Sequence, residues 1–316
     1  MAAMTVAIVG AGMAGLSCAR ALVQAGFAVE LFDKGRGPGG RMSTRRVELD
    51  GRELRFDHGA QYFTARDERF RAEVAAWREA GRVADWPAAG ADALVGVPGM
   101  NEPVRAMAEG LDVRWGTRID RLERVAGEWV LHGGERVRGG YASVVVAIPA
   151  EQAGPLVADF AAGFADRAAR TRSAPCWTAM ASFAQPLPLA DTITTGGAVA
   201  WAARDGAKPG RGGSESWVLQ ASPGWTRDHL DTSAEQIPAL LLAALFAEYA
   251  IEPAQPDYAS AHRWLYAKAQ PVAGEPALWD ASLRLGLAGD WLIAPRVESA
   301  WISGRELADR MIAAPD

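Results

Sequence analysis

The sequence predicts a protein of two domains: a discontinuous α/β domain with a parallel sheet, and an inserted α+β domain with a mostly antiparallel sheet. Three observations predict this fold class. An apolar run over residues 6–9 leads into a glycine-rich turn and a helix, which begins a βαβ unit. Residues 285–290 form a second apolar run that ends in Gly-Asp. Residues 151–279, between them, hold several strand signals followed by one long helix signal, which is typical of an α+β domain.

The segment from Val6 to Gly15 carries the pattern G-x-G-x-x-G directly after the first apolar run. Gly10 permits a tight turn, Gly12 lets a pyrophosphate approach the backbone, and Gly15 allows the helix to pack closely on the strand. The N–H groups and the partial positive charge of the helix N-terminus favour a phosphate. Asp33 ends the second strand, 18 residues after Gly15, where a carboxylate can accept hydrogen bonds from ribose hydroxyls. We therefore predict a Rossmann-type dinucleotide site.

The next elements of the α/β domain follow in order along the chain. The first helix ends near Gly26, and a second apolar strand spans Phe27–Phe32. Residues 34–45 are too rich in glycine and arginine for a regular element, so we expect a loop that approaches an anionic group. A hairpin is expected, with strands at Arg46–Leu49 and Leu54–Phe56 and a turn at Asp50-Gly51. Two helices are expected at Asp67–Ala80 and Pro98–Leu111.

An antiparallel meander and a buried strand are expected next. The segments of the meander are Val113–Trp115, Ile119–Val125, Trp129–Leu131 and Arg136–Val137. Ser143–Pro149 is largely apolar, and we expect this strand to return to the first sheet.

The inserted domain is expected to contain four strands, a mobile loop and one long helix. The strands are expected at Thr178–Phe183, Ala198–Ala202, Trp217–Ala221 and Ala259–Tyr266. We expect a mobile loop over Lys208–Gly213, a capping box at Thr232-x-x-Glu235 for a helix that ends near Ala250, and a last helix over Glu298–Ile312. The predicted domains are 1–62, 96–150 and 280–316 for the α/β domain, with 63–95 and 151–279 for the inserted domain.

Composition argues against several classes of protein. The chain has 316 residues and a net charge of −5, which does not favour a nucleic-acid partner. No apolar run reaches about 18 residues without charge, so we expect no membrane span. Cys18 and Cys176 share no motif and are expected to be free thiols in a reducing compartment, the cytoplasm. The four histidines are scattered, so no metal site is expected.

Four blocks of residues in this order resemble the FAD-dependent amine oxidase superfamily. The blocks are Gly10–Gly15, Asp33 with Gly39-Gly40-Arg41, Asp57–Gln61, and Gly289-Asp290 before the last helix. Within that superfamily the chain is most similar to the short renalase-like members. The stretches that carry this closer resemblance are 37–45, 57–63, 217–225 and 262–267.

The resemblance implies an FAD that is bound without a covalent link, because no cysteine follows Cys176 to serve as a tether. The residues implied at the pyrophosphate and the adenosine ribose are Gly10, Gly12, Met13, Ala14, Gly15, Asp33 and Lys34. Those implied beside the pyrophosphate and ribitol, and under the isoalloxazine, are Gly40, Arg41, Met42, Gly59, Ala60 and Gln61. The resemblance also places Ile119 at the adenine, Asp290 at the ribitol or phosphate, and Ser299 and Ala300 at a helix N-terminus facing the flavin N1–C2=O edge.

The resemblance further implies a renalase-like oxidase, in which a reduced small molecule gives a hydride to flavin N5 and O2 then reoxidises the flavin to yield hydrogen peroxide. The implied substrate is an isomeric dihydro-NAD(P), which becomes aromatic by losing hydride and needs no general base. We find no obvious base near the flavin blocks and assign no catalytic side chain. The residues expected to line the substrate pocket are Tyr62, Gln220, His262, Trp264 and Trp291.

Other functions stay open at this point. A flavin amine oxidase for small amines or polyamines would need an aromatic cage and a lysine near N5. Lys268 is the only lysine in the sequence that is placed for this role. A flavin-binding sensor without turnover would have a pocket closed over the flavin face. A carotenoid-type desaturase would need a membrane-binding stretch, which is not evident. An NAD-dependent dehydrogenase would not need the Gly-Gly-Arg and Asp-His-Gly-Ala blocks.

Overall fold

The structure is a computed structural model that describes residues 5–134 and 136–314. Its strands are β1 (Thr5–Val9), β2 (Ala28–Asp33), β3 (Thr44–Leu49), β4 (Arg52–Asp57), β5 (Val83–Asp85), β6 (Leu94–Gly96), β7 (Asp112–Trp115), β8 (Arg121–Val125), β9 (Glu128–Gly133), β10 (Arg136–Tyr141), β11 (Ser143–Val146), β12 (Arg172–Ser182), β13 (Thr192–Thr194), β14 (Val199–Arg204), β15 (Ser216–Ala221), β16 (Tyr258–Gln270), β17 (Leu278–Asp280) and β18 (Leu285–Leu287). Its helices are α1 (Met13–Gln24), α2 (Glu68–Glu79), α3 (Glu102–Ala108), α4 (Ala150–Val157), α5 (Ala162–Arg170), α6 (Pro223–Asp228), α7 (Ile237–Glu248) and α8 (Val297–Ala313). Short 3₁₀ turns lie at Gly40–Met42, Pro87–Ala89, Asp205–Ala207 and Asp290–Leu292.

A six-stranded sheet in the order β17-β18-β11-β1-β2-β7 forms the centre of the α/β part. β1 pairs in parallel with β2 and β11, and β17 pairs antiparallel with β18 at one edge. Successive side chains of β1 point to opposite faces. Val6 and Ile8 pack with α1 and α8, whereas Ala7 and Val9 pack with α4, β8 and β9. Burial on both faces explains why this strand is apolar from Val6 to Val9.

A five-stranded antiparallel sheet in the order β13-β14-β15-β12-β16 forms the second part. α7 packs on one face through Leu241. The β3–β4 hairpin packs on the other face, where Phe56 contacts Met180. The hairpin turns through Asp50 and Gly51, both with positive φ. The predicted fold class, an α/β domain with an inserted α+β domain, is therefore confirmed.

The predicted limits of the two domains stay a prediction. Residues 1–4 and 315–316 of that division lie outside the described residues. The six-stranded sheet takes its strands from residues 5–33, 112–146 and 278–287, and the five-stranded sheet takes its strands from residues 172–270.

Two predictions for the region before β11 are wrong. β7 does not belong to the meander but pairs in parallel with β2, with Leu31 opposite Val113. The chain passes from β2 through α3 to the edge of the six-stranded sheet, and such a crossover places the next strand parallel to its neighbour. The meander consists of β8, β9 and β10 alone. α3 is also shorter than Pro98–Leu111, because Pro103 is accommodated in the first turn of a helix.

Two predictions for the inserted part are wrong as well. α7 begins at Ile237 with Pro238 in its first turn, and Thr232 does not cap it. The segment Lys208–Gly213 is not an exposed mobile loop, because Lys208 is 2% exposed and Arg211 is 8% exposed. Both side chains are held in a buried group of charges with Asp57 and Asp205.

The described residues contain neither a candidate membrane span nor a candidate metal site. No helix in residues 5–134 and 136–314 is both long and apolar enough to cross a membrane. The same ranges contain no group of three or more His, Cys, Asp or Glu side chains placed to hold a metal ion. Cys18 and Cys176 are both unpaired and buried.

Candidate cofactor and active site

Two glycine segments form a cradle at the end of β1. Gly10 has a φ of +103°, and a side chain at Gly15 would overlap the Gly10 carbonyl oxygen, so β1 and α1 meet closely. A side chain at Gly12 would meet no atom within 4 Å. Gly40 lies opposite with a φ of +53°, and a Cβ added there would be 3.8 Å from Gly12 Cα. The two backbones border open space at the N-terminus of α1, which is the environment that a pyrophosphate needs.

α8 crosses α1 beside this cradle. Met13 and Ala14 lie buried in the first turn of α1, and a side chain at Gly304 of α8 would overlap the Ala14 carbonyl oxygen. Ser299 and Ala300 lie in the first turn of α8, where they are 4% and 8% exposed. No side chain caps that turn, so its N–H groups and partial positive charge suit an electron-rich ligand edge.

Asp33 ties the two loops at the carboxyl end of the sheet. Its Oδ2 accepts from the Ala11 N–H at 2.7 Å and its Oδ1 accepts from the Gly35 N–H at 2.6 Å. Asp33 is half-buried, and each carboxylate oxygen has a second lone pair that can accept from a ribose hydroxyl. Lys34 points away, and its Nζ donates to Gln152 Oε1 at 3.5 Å.

Ile119 lies just before β8 and next to the segment that follows Asp33. The Thr117 N–H donates to the Asp33 carbonyl oxygen at 2.8 Å, which fixes this approach. Ile119 is 7% exposed and borders a small recess together with Phe32 and Gly133. The backbone near Ile119 is therefore at the same end of the sheet as the Asp33 carboxylate.

Arg41 and Asp290 are brought together as a bidentate ion pair. Arg41 Nη1 donates to Asp290 Oδ2 at 2.9 Å, and Nη2 donates to Oδ1 at 2.5 Å. The sequence predicted that each would contact the cofactor by itself, whereas here each engages the other. The pair links the loop after β2 to the loop after β18, with Met42 buried beneath. The Arg41 side chain is 33% exposed.

The segment Asp57–Gln61 begins at the last residue of β4 and is held by side chains from the five-stranded sheet. Trp264 Nε1 donates to the His58 carbonyl oxygen at 2.7 Å, and Gln220 Nε2 donates to the Gly59 carbonyl oxygen at 2.6 Å. These two bonds fix the segment to β15 and β16.

The other side of the same segment rests on the Gly40–Met42 turn. The Ala60 N–H donates to the Arg41 carbonyl oxygen at 2.8 Å, and a side chain at Gly59 would overlap that oxygen. Gln61 turns inward, because its Nε2 donates to the carbonyl oxygens of Asp57 and Gly59. Gly59 and Ala60 therefore present backbone beside the cradle, whereas the Gln61 side chain does not.

A row of side chains crosses the face of the five-stranded sheet that meets this segment. Its members occupy neighbouring register positions and are Trp201, Gln220, Thr178 and His262. Trp264 lies two residues after His262 on the same face. The Tyr62 ring lies 5.7 Å from the Trp201 ring. We call Tyr62, Trp201, His262 and Trp264 the aromatic wall.

His58 packs on the aromatic wall. Its ring stacks on Trp264 with centroids 5.4 Å apart and an interplanar angle of 24°, and it meets His262 edge-on at 5.1 Å. Burial, followed by the neighbouring His262 and Arg45, lowers the pKa of His58 from 6.5 to about 4. Burial and Arg45 also lower the pKa of His262. Near neutral pH both rings are uncharged, so Arg45, which donates to Ser260 Oγ at 3.3 Å, supplies the positive charge here.

Two further residues considered for the active site are Trp291 and Lys268. Trp291 is 1% exposed, and its Nε1 donates to the Ile148 carbonyl oxygen at 3.2 Å. It packs in the core with Val9 and Phe32, and its place in the substrate pocket stays a prediction. Lys268 is exposed on β16, opposite Ala174.

A buried group of four charges, which we call the charge cluster, lies under the segment Asp57–Gln61. Its members are Asp57, Asp205, Lys208 and Arg211, with side chains at most 1% exposed. Lys208 Nζ lies 3.2 Å from Asp57 Oδ2 and 2.5 Å from Asp205 Oδ1. Arg211 Nη2 lies 2.6 Å from the same Asp57 oxygen.

The environment of the charge cluster keeps Asp57 ionised. Burial alone would raise the pKa of Asp57, but Lys208 and Arg211 outweigh it and hold the pKa well below the usual range. Asp57 Oδ1 also accepts from Thr44 Oγ1 at 2.6 Å and from the Met100 N–H at 2.9 Å. Burial and the charge of Asp57 raise the pKa of Asp205.

Little in the sequence indicates this cluster. Lys208 and Arg211 lie in a stretch with Gly210, Gly212 and Gly213, a pattern that is typical of a solvated loop. A usable signal was the scarcity of lysine, because Lys208 is one of three lysines in a chain with 33 basic residues.

Two family models match the chain. The model for an NAD(P)-binding Rossmann-like domain matches residues 8–77. The model for flavin containing amine oxidoreductases matches residues 83–312, which is more than half of the sequence.

Solved structures of low sequence identity share the fold over nearly the whole chain. A protein from Exiguobacterium assigned as a protoporphyrinogen oxidase has a TM-score of 0.78 at 12% identity, with 99% of both chains covered. An engineered putrescine oxidase has a TM-score of 0.72 at 15% identity, with 99% of both chains covered. Cyclohexylamine oxidase from Brevibacterium oxydans has a TM-score of 0.68 at 14% identity, covering 98% of this chain and 99% of that one. At these identities the likeness shows the fold alone.

Proposed function

Because the chain belongs to the flavin containing amine oxidoreductase family and is an FAD-dependent oxidoreductase, we propose that it is a renalase-like oxidase of isomeric dihydro-NAD(P). FAD, when bound, accepts the hydride at N5 and passes two electrons to O2. The dihydronicotinamide ring loses a hydride and becomes the aromatic ring of NAD(P)⁺. The two electrons, the proton delivered with them and one proton from solvent convert O2 to hydrogen peroxide.

The charge of the aromatic wall is the observation that carries this proposal. The wall offers flat rings, and the charged side chain that acts on its His262 is Arg45. Asp57, the carboxylate next to His58, is neutralised by Lys208 and Arg211. The positive charge of Arg45 repels a cationic amine, whereas a flat ring joined to a pyrophosphate gains stacking and an ion pair.

The lowered pKa values of His58 and His262 agree with a reaction that needs no general base. A dihydropyridine becomes aromatic on loss of hydride alone, so the site has to orient the ring rather than remove a proton. Gln220 and Trp264 fix the backbone of the segment Asp57–Gln61 on one side of the reacting ring. The wall packs directly against His58 of that segment, and its rings offer a stacking surface beside the segment.

The residues present fit a non-covalent FAD. We propose that the Gly12 and Gly40 backbones border the pyrophosphate, that Asp33 accepts from the ribose, and that Gly59 and Ala60 lie at the isoalloxazine. The open space in front of Gly12 is where a side chain would otherwise lie. Neither cysteine offers a tether, because Cys18 is buried in α1 and Cys176 is buried in β12.

Anaerobic stopped-flow of the FAD-loaded protein tests the proposal. Borohydride-generated dihydro-NAD isomers, ordinary NADH and a polyamine panel would be mixed in parallel arms, and the flavin absorbance followed. We expect rapid bleaching by the isomers and hydrogen peroxide when air is admitted. Bleaching by amines alone would make the chain an amine oxidase, and no bleaching with FAD bound would favour a sensor; either result overturns the proposal.

A pair of variants on one strand tests the role of Arg45. Arg45→Gln removes the positive charge beside His262, and we expect it to raise the Kd of an isomeric dihydro-NADP about tenfold, which is the loss of about 1.4 kcal/mol. Arg46→Gln is the matched control, because Arg46 is exposed and successive residues of β3 point to opposite faces. Equal Kd values for the two variants would remove Arg45 from the site.

A further inference from the structure

The charge cluster joins three segments that are distant in the sequence. Asp57 ends β4, Asp205 and Lys208 belong to the connection between β14 and β15, and Arg211 Nη1 donates to the Gly96 carbonyl oxygen at 3.2 Å. The Asp57 N–H also donates to Asp205 Oδ2 at 3.1 Å. The cluster therefore fixes the end of β4 against both β6 and the β14–β15 connection.

Stability alone is a poor reason to bury four charges. Removing ions from water is costly, and well-packed apolar side chains of similar volume often stabilise a core as well or better. Buried ionic groups do, however, impose a single geometry, because each donor must meet a particular acceptor. The cluster instead imposes a position on the atoms around it.

The position imposed is that of the segment Asp57–Gln61. Lys208 Nζ has three N–H groups, and its third neighbour, after the two carboxylates, is Gln61 Oε1 at 3.3 Å. This contact orients the Gln61 amide so that its Nε2 donates to the carbonyl oxygens of Asp57 and Gly59. A chain of hydrogen bonds thus runs from the cluster to the Gly59 backbone.

We propose that Lys208 and Asp205 are positioning residues that act through Gln61 to set the orientation of the Gly59–Ala60 backbone toward the flavin ring. The proposal rests on the placement of Gly59 and Ala60 at the isoalloxazine given under the proposed function. The peptide dipoles of this backbone act on the ring electrostatically, so their orientation alters the relative stability of oxidised and reduced flavin. The two residues touch neither substrate nor flavin and are not catalytic.

A charge-balanced double variant tests this positioning role. Lys208→Met with Asp205→Asn removes one positive and one negative charge, and it leaves Asp57 paired with Arg211. The matched control is Arg204→Met with Glu215→Gln, which removes another ion pair at the same two strands. Arg204 also donates to the carbonyl oxygens of Leu187 and Leu189, away from the segment Asp57–Gln61.

The readouts are the FAD Kd, the visible spectrum and the two-electron reduction potential measured against dyes. For the double variant we expect a changed flavin spectrum and a tenfold change in the ratio of affinities for reduced and oxidised flavin, which is about 30 mV. We expect an FAD Kd within about tenfold of the wild type. An unchanged potential and spectrum, or equal shifts in the control, would overturn the proposal.

A second variant covers the case in which the double variant fails to fold. Gln61→Leu leaves all four charges in place and removes the hydrogen bonds that link Lys208 to the carbonyl oxygens of Asp57 and Gly59. We expect the same direction of spectral and potential change, and wild-type values in this variant would overturn the proposal. These readouts use dyes and no substrate. Failure of the dihydro-NAD(P) assay with a shifted potential would therefore contradict the proposed function and leave the positioning role standing.

Discussion

The cofactor cradle and the aromatic wall are built in opposite ways. The cradle consists of backbone from Gly10 to Gly15 and from Gly39 to Arg41, within the first 41 residues of the chain. The wall consists of side chains. The register of one sheet brings Trp201, His262 and Trp264 together, and Tyr62 joins them from a loop after β4. A backbone site depends on the absence of side chains, whereas a side-chain site depends on their identity. Substitutions should therefore separate the two regions.

The largest effect is expected where the two regions join. Asp57→Asn leaves Lys208 and Arg211 buried without their shared carboxylate, and we expect a loss of about 3–5 kcal/mol in the free energy of unfolding. Urea denaturation of the apoprotein measures it. Asp85→Asn is the control, because Asp85 pairs with Arg78 at the surface, where both side chains are about half exposed. For the control we expect a loss below about 1 kcal/mol in the free energy of unfolding. Similar losses in the two variants would contradict the claim that the buried carboxylate of Asp57 is needed to stabilise the fold.

The next effect concerns pH and the wall. The pKa of His58 is lowered from 6.5 to about 4, so the unfolded chain takes up a proton before the folded protein does. Stability should fall as pH drops from 6.5 to 4, by an amount on the order of 3 kcal/mol from this group. His58→Phe keeps a ring on Trp264 and removes the titration. Its unfolding free energy should fall less over the same pH range, and parallel pH profiles would contradict the assignment.

The third effect isolates the cradle. Gly12→Ala adds a methyl group that meets no protein atom within 4 Å, so the melting temperature of the apoprotein should stay close to that of the wild type. The methyl group would lie where the pyrophosphate approaches, and we expect the FAD Kd to rise at least about tenfold. Titration of the apoprotein with FAD, followed by fluorescence, gives the Kd. Gly163→Ala, at a helix position that also borders open space, serves as the control and should bind FAD normally.

The smallest effect concerns one hydrogen bond of the wall. Trp264→Phe keeps an aromatic ring and removes the indole N–H that donates to the His58 carbonyl oxygen. The loss of about 0.5–1.5 kcal/mol corresponds to a two- to tenfold slower flavin reduction by substrate. Single-turnover kinetics would show it, with an unaltered FAD content. A wild-type reduction rate would show that this bond does not orient the reacting groups.

The same contrast explains how much could be predicted from the sequence. The turn at Gly10–Gly15, the acid at Asp33 and the βαβ unit that begins with β1 follow from local patterns, because each is encoded within a few residues. The row from Trp201 to His262 could be predicted only in part, since it depends on strand register across the inserted sheet. The packing of Trp291 could not be predicted, because the direction of a side chain after a tight turn depends on tertiary contacts, here with the carbonyl oxygen of Ile148.

The charge cluster could not be predicted, for a different physical reason. Lys208 and Asp57 are separated by 151 positions in the sequence, and nothing near either residue indicates its partner. A basic residue among glycines is normally solvated, so burial became visible only with the packing of the β14–β15 connection under β4. The ion pair of Arg41 with Asp290, 249 positions apart, was missed for the same reason.

The most direct test of the contrast between cradle and wall measures FAD and substrate binding in the same two variants. The dissociation constants would be determined for Gly12→Ala and Arg45→Gln, with substrate binding measured on FAD-saturated protein. We predict that Gly12→Ala weakens FAD at least about tenfold and leaves substrate binding unchanged, whereas Arg45→Gln weakens an isomeric dihydro-NADP about tenfold and leaves FAD unchanged. Equal weakening of both ligands in both variants would contradict the separation of a backbone-built cofactor site from a side-chain-built substrate site.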